Sequence, residues 1–153
     1  MPFRFRYQSL LEHRRHVEEK RQRELAQRLQ RKSELEGMLE EAQSTIRENK
    51  HELADSLQGR VDMSQLGMFA RYSVHMAGRG MHVVRHIAAA QQEVERARAK
   101  LLEATQQVKA LELLRDREYE QWKKQQKKKE NQRLDEIAVQ SYARKREREG
   151  AHG

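Results

Sequence analysis

The chain has 153 residues, of which 36% are hydrophobic, 5% aromatic and 37% charged, with a single proline and no cysteine. So little apolar material argues against an ordinary globular core, and the dominance of Glu, Gln, Lys, Arg, Leu and Ala argues for long helices. A formal net charge of +8 favours acidic partners, and the absence of cysteine excludes disulfides and thiolate chemistry.

The first residues carry charges where a secretory signal needs its apolar run, and no stretch approaches the roughly 20 apolar residues of a membrane span. The expectation is a soluble protein of a reducing compartment. Phe3, Phe5 and Tyr7 alternate with polar residues, but no second strand pattern exists to pair with them. They are expected to lead into the first helix as aromatic anchors.

From Ser9 to Leu57 there is no proline and only one glycine, Gly37. Leu11, Leu25, Leu39, Ile46 and Leu53 are spaced by multiples of seven, with Glu18 and Lys32 at the two missed positions. This predicts a first helix over about 8–57 with an interrupted seam. A connector over 58–80 follows, holding Gly59, Gly67, Gly78 and Gly80. Gln58-Gly59 has the chemistry of a left-handed helix cap. Asp62 or Ser64 is placed to cap a short helix carrying Leu66, Phe69, Tyr72, Ser73 and Met76. Its apolar stripe either folds back on the hairpin tip or faces a partner; methionine and aromatic residues suit adaptable protein contacts.

The second helix is expected over about 81–147. Val83, Ile87, Ala90, Val94, Ala97, Leu101, Ala104, Val108 and Leu111 alternate steps of four and three, the seam of a coiled coil. The stripe is narrow, so it calls for one partner helix. In an antiparallel hairpin, paired positions have a constant sum. Leu57 with Val83, Leu53 with Ile87, Ile46 with Val94, Leu39 with Leu101 and Leu29 with Leu111 all sum to 140. That register sets Asn49 against Gln91, Phe3 opposite Ile137 and Tyr7 near Leu134. The predicted fold is all-α, a single long antiparallel two-helix coiled-coil hairpin with a short connector segment. Beyond Leu111 the pattern shifts to Leu114, Tyr119 and Trp122, a stutter. A lysine-rich stretch, LDEIA at 134–138 and a basic end follow.

Late lysines and arginines complement the second helix's dipole, whereas Arg4, Arg6, Arg14 and Arg15 oppose that of the first. A hairpin with joined termini gathers both sets at one end and so predicts an acidic partner there. Catalytic groupings are weak: Gly78-Arg79-Gly80 lacks the strand and GKS of a phosphate loop, and His82 with His86, like His13 with His16, lacks a third ligand. Glutamate pairs such as Glu40-Glu41 read as solvated faces. No enzyme, metal site or cofactor is expected. Basic clusters at both termini do not match a zipper with one basic region, and the tail does not interleave aromatics with its lysines. No specific nucleic-acid binding is expected.

The entry Phe5, Tyr7, Leu10, Leu11, the two long charged helices and the terminal LDEIA followed by basic residues resemble the FliJ family over the whole chain. These are coiled-coil proteins of the bacterial flagellar type III export apparatus. The resemblance implies a stalk-like protein, cytoplasmic and peripherally associated with the inner membrane at the flagellar base. Its implied partners are the export ATPase hexamer, the cytoplasmic part of the export gate, and export chaperones. It implies gate contacts at Phe69, Tyr72 and Met76, although the glycines near Arg79 and Val83 interrupt the family pattern. It also implies that the basic terminal end meets the ATPase ring. Arg4, Arg6, Arg14, Arg15, Lys123, Lys124, Lys127 and Lys128 are the candidates, with Ile137 and Tyr142. The alternative is a generic basic coiled-coil scaffold, or a nonspecific binder of nucleic acid or anionic surfaces.

Overall fold

The structure is a computed structural model describing residues 1–151. Two helices account for nearly all of it: α1, Gln8–Ser56, of 49 residues, and α2, Met63–Ala151, of 89 residues. They run antiparallel as an all-α hairpin, as the periodicity predicts. The chain divides into two compact units, one of Met1–Arg15 with Gln106 onward, the other of His16–Thr105.

The turn lies wholly in the second unit. Gln58 N–H donates to the Asp55 carbonyl at 3.2 Å, and Gly59 follows with φ of +112°. That left-handed backbone suits glycine, which has no Cβ to clash. The Asp62 carboxylate accepts from the Ser64 N–H at 2.9 Å, capping α2. Both caps are the expected ones.

The connector differs from the expectation. No separate short helix exists, because α2 begins at Met63 and continues unbroken through Gly67, Gly78 and Gly80. Each interior glycine costs about 1 kcal/mol against alanine, which burial along the seam outweighs. Gly80 is helical rather than a turn and faces α1: a Cβ there would lie 3.9 Å from Leu39 Cδ1, an ordinary contact. At the other end, helix persists to Ala151, a few residues past the expected bound of about 147.

The register also differs from the sum of 140. In the second unit Leu39 faces Gly80, and Asn49 Nδ2 donates to the Phe69 carbonyl at 3.0 Å and to Ser73 Oγ at 2.6 Å. In the first unit Leu11 and Val108 share one buried cluster. Leu39 with Gly80 and Leu11 with Val108 each sum to 119. The offset from 140 is three heptads, about 30 Å of slide at 1.5 Å per residue. The physical reason is the six-residue loop, which centres the hairpin near Gly59 rather than in a long connector. Asn49 is thus a polar layer, but with Ser73 and not with Gln91, whose buried Oε1 has no partner.

This register is directly testable in a chain without native cysteine. Asn49→Cys with Ser73→Cys is expected to oxidise to an intrachain disulfide. Ile46→Cys with Val94→Cys is expected to stay reduced within the monomer, as seen by gel mobility with and without reductant.

Of the expected seam, Val83, Val94 and Val108 are buried; Leu39, Ile46, Leu53, Ile87, Leu101 and Leu111 are half-buried. Leu29 and Leu57 are exposed, Leu57 because it follows the end of α1.

Candidate functional site

In the first unit the aromatic lead-in does anchor the chain. Phe5, Leu11 and Val108 form the core, with Phe3, Tyr7, Leu111 and Leu114 packed against it. The Phe3 ring lies 5.3 Å from that of Tyr119 and 5.9 Å from that of Trp122. Phe3 therefore does not reach Ile137, nor does Tyr7 reach Leu134, because the shorter register stops the lead-in near Trp122. From Lys123 to Ala151 every residue is exposed except Gln126, which is half-buried. This stretch of 29 residues is about 43 Å of helix that no other described residue covers.

The candidate ring-contact residues fall into four groups. Arg14 Nη1 donates to Gln107 Oε1 at 2.8 Å, and Arg15 pairs with Glu112 at 3.2 Å. Cross-helix pairing thus explains two arginines that oppose the α1 dipole. Arg6 stacks over the Tyr7 ring at 4.7 Å and donates to its hydroxyl, while Arg4 is exposed. Lys123 sits over the Tyr119 ring at 5.5 Å; Lys124, Lys127 and Lys128 are free on the surface. Ile137 and Tyr142 are 51% and 67% exposed on the same helix. The two basic termini do not coincide, since Arg144 to Arg148 lie at least 22 residues beyond Trp122, about 33 Å along α2.

On the exposed stretch, Leu134, Ile137, Ala138, Ser141 and Tyr142 recur at helical spacing on one face. Ten basic and five acidic side chains occupy Lys123 to Glu149. The result is a basic helix with a short apolar stripe facing solvent.

The second unit carries a different surface. A groove of about 750 Å³ opens beside the turn, lined by Glu48, Asn49 and Glu52 from α1 and Met68, Phe69 and Tyr72 from α2. The Asn49 hydrogen bonds fix the Phe69 turn of α2 against α1. The predicted patch splits here: Met76 is 8% exposed and packs inside the hairpin, Phe69 is half-buried, and Tyr72 is 45% exposed. Met76 thus packs within the hairpin as the fold-back reading expects, while Tyr72 stays at the surface. Glu48, Glu52 and Met68 were not expected as lining. The signal that identifies them is the register, since only a turn at Gly59 sets Glu52 beside Met68.

Elsewhere in this unit, the Glu24 carboxyl is held below the ordinary carboxylate range by a hydrogen bond from Arg21. Among the described residues, no group of three or more His, Asp or Glu is placed to hold a metal ion. No helix among them is long and apolar enough to cross a membrane.

The described residues form an all-α helical hairpin, a coiled-coil class of protein, that carries an uncovered basic helix and an open groove. The chain belongs to the FliJ family: the family model described as Flagellar FliJ protein matches residues 3–147. Membership makes it a component of the flagellar export apparatus. No curated protein and no solved structure matches the chain.

Proposed function

We propose that this protein is a stalk-like factor whose basic α2 end engages the ring of the export ATPase. The supporting observation is the uncovered helix from Lys123 to Ala151, dense in lysine and arginine and with Ile137 and Tyr142 in solvent. Such a helix gains from an acidic or polar lining that neutralises its charge. Tyr72 and the exposed edge of Phe69 meet the cytoplasmic part of the export gate, and export chaperones dock on the same protein. It works in the cytoplasm beside the inner membrane at the flagellar base, through contacts and without chemistry of its own.

The test reverses the sign at Lys123, Lys124, Lys127 and Lys128. These side chains are exposed, so thermal unfolding is expected to stay within a degree or two of the parent. Stimulation of ATPase ring assembly is expected to fall at least tenfold, which corresponds to about 1.4 kcal/mol. Retained stimulation at moderate salt removes the basic end from the ring contact. A nonspecific polyanion binder, favoured by the net charge alone, behaves differently: its affinity for any nucleic acid collapses steeply with salt.

A further inference from the structure

We propose that the groove beside the turn accepts the basic α2 end of a second copy of this chain, giving head-to-tail self-association. Two surfaces on one chain carry the argument, one from each compact unit. The first is the groove, whose charged lining is entirely acidic, Glu48 and Glu52, around Met68, Phe69 and Tyr72. It lies on a stretch of α1, Glu34 to Asp55, with seven acidic and only two basic side chains. The second is the α2 end, with twice as many basic as acidic residues and the apolar stripe Leu134, Ile137 and Tyr142 in solvent.

Each surface supplies what the other lacks. A helix laid in a groove places apolar anchors at steps of three and four: Leu134, Ala138 and Tyr142 follow at steps of four, and Ile137 lies three after Leu134. Flanking lysines then meet carboxylates, and opposite potentials steer the encounter. The alternative self-pairing, α2 end against α2 end, sets two basic helices side by side and is disfavoured by repulsion. Groove against groove likewise juxtaposes glutamates. Charge therefore selects the unlike pairing, which is heterologous. Each such contact leaves one groove and one tail open, so that further copies can add.

Sedimentation of the full chain at about 0.05 M and about 0.5 M salt tests this, since ionic screening shortens from more than 10 Å to a few Å across that range. The parent is expected to sediment at low salt as a concentration-dependent series of species, and at high salt as a single chain. Two variants separate the surfaces: Glu48→Lys with Glu52→Lys in the groove, and Leu134→Ser, Ile137→Ser and Tyr142→Ser on the tail. All five side chains lie at the surface, and helix content by circular dichroism checks each fold. Each variant alone is expected to remain a single chain. A one-to-one mixture is expected to reach a dimer and stop, because one intact groove and one intact tail remain between them. A parent that stays single at about 0.1 mM and low salt overturns the proposal. So does association that survives in either variant alone, which assigns it to another surface.

Discussion

Replacing Leu11 with alanine is expected to destabilise the first unit by about 2–5 kcal/mol, the range for removing a fully buried leucine from a core that cannot collapse around the space. Leu11 has no exposed surface and sits with Phe5 and Val108, under Phe3, Tyr7, Leu111 and Leu114. The cluster is small, so few neighbours are available to refill the void. Trp122 is the only tryptophan and packs against Phe3, so its fluorescence reports on this unit. Its denaturant transition is expected to move to distinctly lower concentration. An unshifted Trp122 transition contradicts the assignment of Leu11 to this core.

Met76→Ala and Tyr72→Ala, one helical turn apart, are expected to fail in opposite ways. Met76 is buried inside the hairpin, so truncation costs about 2–5 kcal/mol and lowers the thermal midpoint of the helix signal. Tyr72 is 45% exposed on the groove rim, and its truncation is expected to change stability by no more than about 0.5 kcal/mol. The functional readout reverses: with protein levels equalised, Tyr72→Ala is expected to impair flagellar secretion while Met76→Ala largely retains it. If Tyr72→Ala melts early with secretion intact, the tyrosine is a packing residue and the gate contact lies elsewhere.

The seam from Val83 to Leu111 was legible because steps of three and four report directly which face is buried. The helix caps at Gly59 and Asp62 were legible for the same local reason: each depends on the chemistry of one residue. Register was not. A heptad stripe presents the same face after every seven residues, so pairings offset by whole heptads satisfy the apolar pattern equally well. A long connector over 58–80, holding Gly67, Gly78 and Gly80, moves the hairpin's centre and selects the wrong member of that series. The discriminating contacts are the ones periodicity ignores, namely Leu39 beside Gly80 and Asn49 bridging to Ser73. The groove inherits the same blindness, since its lining depends on register. The exposed α2 end was readable as charge, but its lack of cover follows only once the lead-in is known to stop near Trp122.

Gly78 has open space where its side chain would be, with nothing within 4 Å. Alanine there would lower the entropy of the unfolded chain and strengthen the helix, by about 0.4–1 kcal/mol. Glycine therefore leaves the early turns of α2, where Gly67 and Gly80 also lie, mechanically softer than the seam that follows. Amide exchange should be faster along this part of α2 than between Val83 and Leu111, because local opening there needs less work. A partner that seizes the turn region meets a compliant grip, able to adjust its shape while the stiff seam beyond it keeps the two helices in step.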